Sequence, residues 1–129
     1  MTFVDTNYFV RIIENDNEVQ VREIRKLFSK GMTGTENLVS STVVLFEIYW
    51  LMKTYYGKKK EDLAKVLRDV LDMSFIKWES QKTLTEAVET MRRTNYDLED
   101  AYNLVYAKSV GVNELASFDK RLQKVWGKG

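Results

Sequence analysis

The first ten residues, MTFVDTNYFV (residues 1–10), set a pattern that the rest of the chain repeats. A short apolar run at residues 3–4 is followed by the acid Asp5, by Thr6-Asn7 and then by a second apolar run. An apolar run that ends so abruptly predicts a buried strand, and the residues after it predict a short helix. Asp5 is then either the cap of that helix or one member of a charged site. The local sequence leaves both possibilities open.

Short apolar runs alternate with helical sequence along the whole chain. Four runs predict strands, TFVD (2–5), NLVSS (37–41), SFIKW (74–78) and ELASF (114–118). They lack clean alternation of polar and apolar residues, which is typical of a parallel sheet covered on both faces. The segments between them have apolar residues at helical spacing and predict helices or helix pairs. We therefore expect an α/β fold, and 129 residues fit one domain spanning the chain from residue 1 to residue 129.

Capping and stop signals predict several helix boundaries. Ser41 or Thr42 is the expected cap of the strongly apolar helix STVVLFEIYWLMKTYY. Gly31, Gly57 and Gly111 are expected to end the helices that precede them.

The composition excludes several kinds of chemistry. The chain has no cysteine, which excludes disulfides, thiol catalysis and cysteine-ligated metals. It has no histidine, which excludes a Ser-His-Asp triad and removes the usual general base and zinc ligand. Any metal must then be held by oxygen, which favours magnesium or manganese. No apolar stretch reaches membrane-spanning length and the start does not resemble a signal sequence, so we expect a cytoplasmic protein that does not enter a membrane.

Several acids lie where a parallel sheet gathers functional groups, beyond the carboxyl ends of its strands. Asp5 follows the first predicted strand, and Asp119 follows the fourth. Asp97 and Asp100 open a predicted helix, where acids also favour the positive end of the helix dipole. Taken singly, each of these acids could be a helix cap.

Glu47 is harder to explain as a surface residue. Its helical neighbours on the same face are all apolar, namely Val43, Val44, Trp50 and Leu51. Glu47 is therefore expected within an apolar stripe, where a carboxylate must be protonated, paired or bound to a metal. Arg11 or Arg121 could supply a buried ion pair. A slight rotation of the helix that exposes Glu47 is the other structural explanation.

One cluster of Asp5, Glu47, Asp100 and Asp119 at one edge of the sheet explains these positions jointly. Packed carboxylates repel each other, and a divalent cation relieves that repulsion. Such a site polarises a phosphodiester and activates water without any histidine. The pattern therefore indicates phosphoryl-transfer chemistry.

The charge balance agrees weakly with a phosphate-backbone substrate. Without these four acids, fifteen acids remain against twenty lysines and arginines. The candidate phosphate contacts are Arg11, Lys58, Lys59, Lys60, Arg92, Arg93, Lys120, Arg121 and Lys124. Most of them are expected to lie on solvent-exposed helix faces without a binding role.

Three ordered motifs carry a family resemblance that covers essentially the whole chain. They are FVDTNYFV (3–10), FEIYWLM (46–52) and DLEDAYNLVYAKSVGVNELASFDKRL (97–122). In this order and spacing they resemble a PIN-domain ribonuclease of the VapC-like toxin type. Any one motif is common by chance, but the ordered set is fairly specific.

The resemblance implies a three-layer α/β/α sandwich with a short parallel sheet and a Mg²⁺- or Mn²⁺-dependent endoribonuclease. By the family pattern Asp5, Glu47 and Asp100 surround the metal, and Asp119 completes the set. The supporting residues would be Thr6, Asn7, Asp97 and Ser117. The resemblance also implies an RNA substrate, a homodimer and a small antitoxin protein as partner.

Other functions remain open at this stage. A housekeeping RNA-processing nuclease would share the same motifs, and a binding scaffold would keep the fold without the chemistry. A phosphatase with Asp5 as nucleophile fits worse, because Asn7 stands where such enzymes need a second aspartate.

The large aromatic residues of the early helices suggest a partner surface. They are Tyr8, Phe9, Phe28, Phe46, Tyr49, Trp50, Tyr55 and Tyr56. Most are expected in the core, but a cluster that stays exposed favours binding. We expect a groove between the first helices and the STVVLFEIYWLM helix to accept an apolar antitoxin segment, with Tyr8 and Phe9 in contact with it. A basic side chain of that segment could reach the acids and displace the metal.

Overall fold

In the computed structural model, which describes residues 1–128, the chain forms two units, Met1–Gln81 and the residues from Lys82 onward. The first unit contains the sheet and the second is helical. The expectation of a single domain over the whole chain stays a prediction.

Three of the four predicted strands form a parallel sheet in the first unit. They are β1 (Thr2–Phe3), β2 (Leu38–Ser40) and β3 (Ile76–Trp78), in the spatial order β1-β2-β3. Thr2 is paired with Leu38, which in turn is paired with Ile76. Because all three strands run the same way, their carboxyl ends lie at one edge of the sheet, and Asp5 follows β1 closely there.

Four helices accompany the sheet in the first unit. They are α1 (Thr6–Glu14), α2 (Glu18–Met32), α3 (Thr42–Trp50) and α4 (Lys60–Leu71). As predicted, Ser41 caps α3, because its Oγ accepts the N–H of Val44 at 3.3 Å. A π-helical turn, Leu51–Tyr55, continues α3. The largest fully buried side chains of this unit are Phe9, Ile24, Leu45, Ile48, Tyr49, Met52, Leu67, Leu71 and Ile76.

Gly31 does not end α2, which continues to Met32. A Cβ atom at residue 31 would lie 2.7 Å from Cδ1 of Leu38, which is buried in β2. The glycine therefore allows the helix to approach the sheet rather than stopping the helix. Gly57 and Gly111 have positive φ angles of 65° and 76° and do follow helix ends, as predicted.

Three helices form the second unit: α5 (Gln81–Arg93, whose first residue belongs to the first unit), α6 (Leu98–Ser109) and α7 (Lys120–Lys128). Leu84 and Met91 of α5 and Leu98 of α6 are its largest fully buried side chains. Among the described residues, none of the helices is both long and apolar enough to cross a membrane.

The predicted fourth strand, residues 114–118, is wrong. In the described chain this segment is a loop, and Phe118 is fully exposed. Two of its backbone carbonyl groups accept hydrogen bonds from a side chain and not from a neighbouring strand. Nε2 of Gln123 donates to the carbonyl oxygens of Leu115 (2.6 Å) and Ser117 (3.1 Å). Asp119 therefore follows a loop and precedes α7, rather than ending a strand.

Candidate active site

Asp5 connects β1 to α1 and keeps an exposed carboxylate. Its backbone takes the cap position of α1, with its carbonyl accepting the N–H of Tyr8 at 3.1 Å, but its side chain makes no capping hydrogen bond. A helix cap therefore does not account for the carboxylate at this position.

The two residues after Asp5 differ sharply in exposure. Thr6 is buried, and its Oγ1 has no hydrogen-bond partner among the described residues. Asn7 is exposed. Among the described residues, the structure therefore gives Thr6 no hydrogen bond to a carboxylate through which it would support a ligand.

The prediction that Glu47 lies within a buried stripe is wrong. Glu47 is exposed, and so are Val43 (65%) and Trp50 (43%) on the same side of α3. The helix instead buries the face formed by Val44, Leu45, Ile48 and Tyr49. Because α3 is apolar on nearly all sides, the polarity of its neighbours could not identify the buried face.

The ion pairs suggested for Glu47 are formed by other acids. Arg11 pairs with Asp16, with 3.0 Å between Nη1 and Oδ1. Arg121 pairs with Asp119 and Asp100. The other structural explanation, a rotation of the helix that exposes Glu47, is the one observed.

The early aromatic residues divide between core and surface. Phe9 is fully buried, with its ring centroid 5.1 Å from that of Trp78 and 6.1 Å from that of Phe28. The expectation that Phe9 contacts a partner is therefore wrong. Tyr55, on the π-helical turn, is 78% exposed.

In the second unit, Asp97 and Asp100 begin α6. Asp97 caps the helix, because its Oδ1 accepts the N–H of Asp100 at 2.9 Å. The side chain of Asp100 is 27% exposed. Partial burial raises the pKa of Asp100, and the negative charges of Asp97 and Asp119 raise it further.

Asp119 has the corresponding capping role at α7. Its Oδ1 accepts the N–H groups of Arg121 (2.9 Å) and Leu122 (3.3 Å), and its own N–H donates to Oγ of Ser117 at 3.0 Å. The hydrogen bond from the Arg121 side chain is the main cause that lowers the pKa of Asp119. Ser117 thus positions the backbone of Asp119.

Arg121 joins these two acids. Its Nη2 lies 3.2 Å from Oδ2 of Asp119 and 3.7 Å from Oδ2 of Asp100. The guanidinium also lies over the ring of Tyr96, with 5.4 Å from Cζ to the ring centroid, and the Tyr96 hydroxyl donates to the carbonyl of Arg121 at 3.1 Å. Sequence reasoning missed this arrangement, although an arginine two residues after Asp119 was a detectable signal.

The acids of this region suit a hard cation. Asp100 and Asp119 offer carboxylate oxygens, the ligands that Mg²⁺ and Mn²⁺ prefer, and their mutual repulsion favours a positive charge beside them. Within either unit, the described residues contain no group of three or more acidic side chains placed to hold a metal ion. The joint cluster of Asp5, Glu47, Asp100 and Asp119 stays a prediction.

The amino-acid sequence was compared with protein families, with curated proteins and with solved structures. The chain matches the PIN domain family over residues 2–128, which include both units. It is 23% identical over 125 residues to a protein named VapC ribonuclease from Aquifex aeolicus (strain VF5). That match covers 97% of this chain and 92% of the relative. No solved structure matches the chain.

Proposed function

Since the chain belongs to the PIN domain family, we propose that it is a metal-dependent endoribonuclease that hydrolyses phosphodiester bonds of RNA. The similarity to a protein named VapC ribonuclease supports the activity. The observation that carries the proposal is the pair of carboxylates, Asp100 and Asp119, that share one guanidinium. Partial burial and the neighbouring acids raise the pKa of Asp100, so its negative charge is disfavoured there, which favours a bound cation.

The proposed ligands of the cation are Asp5, Glu47, Asp100 and Asp119, with Mg²⁺ or Mn²⁺ as the metal. The exposed carboxylates of Asp5 and Glu47 are free of capping and ion-pair roles in the contacts described above. Asp97 and Ser117 support the set by fixing the backbone at Asp100 and Asp119. Thr6 and Asn7 follow Asp5 directly and are the remaining proposed supporting residues.

The chain's own groups account for the handling of protons. When bound, a divalent cation would neutralise the carboxylates and polarise the scissile phosphate. Because the chain has no histidine, a carboxylate is the available acceptor for the proton of an attacking water.

Cleavage of labelled RNA tests this activity directly. We expect the purified protein to cleave RNA with Mg²⁺ or Mn²⁺ and to stop when EDTA is added. Asp100→Asn should reduce cleavage by about a hundredfold or more, because it removes a ligand charge from the proposed metal site. Asp62→Asn, an exposed aspartate of α4, is the matched control and should retain activity. Undiminished cleavage by folded Asp100→Asn protein would refute the assignment.

We further propose that the nuclease is a cytoplasmic toxin, inhibited by a small antitoxin protein and assembled as a homodimer. The exposed apolar side chains of α3 and the π-helical turn support a partner surface, formed by Val43, Trp50 and Tyr55. A toxin is distinguished from a housekeeping nuclease by a short adjacent gene whose product co-purifies with it. Sedimentation equilibrium of the isolated protein tests the homodimer.

A further inference from the structure

Arg121 occupies the position between Asp100 and Asp119 where a cation would bind. Its single nitrogen Nη2 contacts Oδ2 of both acids. On Asp119 the other oxygen, Oδ1, already accepts two backbone N–H groups at the beginning of α7. The shorter contact of the guanidinium on Asp119 is therefore made with Oδ2, the oxygen that capping leaves available, while Nε lies 3.5 Å from Oδ1.

The side chain of Arg121 is the most exposed of the three charged groups. It is 58% exposed, whereas the side chains of Asp100 and Asp119 are 27% and 33% exposed. The backbone of Arg121 is held separately, by the Tyr96 hydroxyl on its carbonyl and by Asp119 on its N–H. The guanidinium is thus the outermost of the three charged groups, on a fixed backbone.

A cavity beside Arg121 offers the displaced side chain a second position. The cavity has a volume of about 320 Å³ and is lined by Arg121, Lys124 and Tyr96, among others. A phosphate group at its rim would meet two positive side chains. Arginine also binds phosphate in a two-pronged geometry that lysine cannot reproduce.

We propose that Arg121 is an internal counter-ion, which neutralises Asp100 and Asp119 in the metal-free protein and turns to an RNA phosphate when a metal takes their oxygens. This role rests on the proposed function. A divalent cation and the guanidinium compete for the same two oxygens and repel each other, so binding of one releases the other. The positive charge of the released guanidinium then lies beside the acids, where it can pair with a negatively charged phosphate of the RNA.

Metal affinity, measured without RNA, tests the competition. By isothermal titration with MnCl₂ we expect Arg121→Gln to bind Mn²⁺ about two- to tenfold more tightly than the wild type, as expected from losing two partly exposed ion pairs. Lys120→Gln removes the same charge from the neighbouring exposed residue and should change the affinity less. Equal gains in both variants, or no gain in Arg121→Gln, would overturn the proposal.

RNA cleavage at saturating Mn²⁺ tests the second part. Arg121→Gln should raise KM for RNA, whereas Arg121→Lys, which keeps the charge, should restore part of the lost affinity. A merely structural residue would not tighten metal binding while weakening RNA binding. An unchanged KM in Arg121→Gln would overturn the phosphate role.

Three further outcomes separate the role of Arg121 from the proposed function. If circular dichroism shows that Arg121→Gln is unfolded, Arg121→Met, which also removes the charge but keeps an extended side chain, carries the metal test, and an affinity equal to that of the wild type overturns the proposal. If the wild-type protein binds no Mn²⁺, the proposed function fails, and the role of Arg121 fails with it. If the wild type binds Mn²⁺ and the Arg121 variants bind it equally well, only the role of Arg121 is refuted.

Discussion

Asp100 and Asp119 have identical side chains but opposite shifts of pKa. Burial and neighbouring acids raise the pKa of Asp100, whereas hydrogen bonding to Arg121 lowers that of Asp119. An acid with a raised pKa contributes stability at low pH that is lost as the pH rises through its folded-state pKa. An acid with a lowered pKa contributes stability that is lost as the pH falls through its folded-state pKa. The two carboxylates therefore oppose each other in the stability of the metal-free protein.

The pH dependence of two variants follows from these signs. With EDTA present, we expect Asp100→Asn to raise the melting temperature at neutral pH by a few degrees and Asp119→Asn to lower it. The gain should shrink as the pH falls toward 3.8, the ordinary aspartate value, because Asp100 itself becomes protonated. The loss in Asp119→Asn should persist to lower pH than the gain does. Differential scanning fluorimetry across this range checks both, and changes of the same sign would contradict the assignment.

The sequence suggested these two acids as site residues but not how they are held. Asp119 was suggested because it follows an apolar run, and Asp100, which a helix start alone could explain, was included as a member of the joint cluster. Arg121 follows the loop that precedes α7, and this loop was expected to be a strand. The contact of the Arg121 side chain with both acids was therefore not predicted. The wrongly predicted strand at residues 114–118 therefore concealed the contact of Arg121 with these two acids.

At the scale of elements, three short strands were predicted from apolar runs. In β2 and β3 alternate residues such as Leu38, Ile76 and Trp78 are buried, whereas Phe3 of β1 is exposed and the buried residue of that run is Val4, just after the strand. The run ELASF has similar composition but lies in a loop, because pairing depends on a neighbouring strand and not on composition. The prediction of which face of α3 is buried was wrong for a different reason. A helix that is apolar on nearly all sides gives no sequence signal for its exposed face.

The division of the aromatic residues predicts contrasting variants. Phe9→Ala should cost about 3–5 kcal/mol of unfolding free energy, because Phe9 packs between Phe28 and Trp78. Tyr55→Ala should change stability by no more than about 0.5 kcal/mol, yet weaken binding of the adjacent small gene product about tenfold. Urea denaturation and co-purification measure the two effects.

Tyr106→Ala controls for the loss of an exposed aromatic ring elsewhere. Tyr106 is 51% exposed on α6, away from the proposed partner surface in sequence. It should leave the affinity for the small gene product unchanged. A loss in Tyr106→Ala as large as in Tyr55→Ala would remove α3 and its π-helical turn as the partner surface.

At the scale of the whole molecule, the predicted PIN-like α/β class with a short parallel sheet is confirmed. The family match was foreseeable because the three motifs keep their order along the chain, even though the identity to the VapC ribonuclease is only 23%. The number of strands and the exposure of Glu47 were not foreseeable, because they depend on contacts between distant segments.

Thermal stabilisation by metal tests the four proposed ligands together. A ligand that binds only the folded protein adds about 2.7 kcal/mol at a hundredfold excess over its Kd, so Mn²⁺ should raise the melting temperature of the wild type. Asp5→Asn, Glu47→Gln, Asp100→Asn and Asp119→Asn should each reduce this shift, and Asp62→Asn should not. Any one of the four that keeps the full shift is removed from the ligand set.

The π-helical turn after α3 determines what the deletion of one residue from this segment would do. Its ring is closed by the N–H of Tyr56 on the carbonyl of Leu51, five residues back, so this turn holds one residue more than an α-helical turn. Deleting the exposed Thr54 would let the segment relax to an α-helix and leave the buried Met52 upstream in place. Tyr55 would then move around the helix by about 100°. A loss or gain of a single codon here could therefore redirect the partner surface while sparing the core.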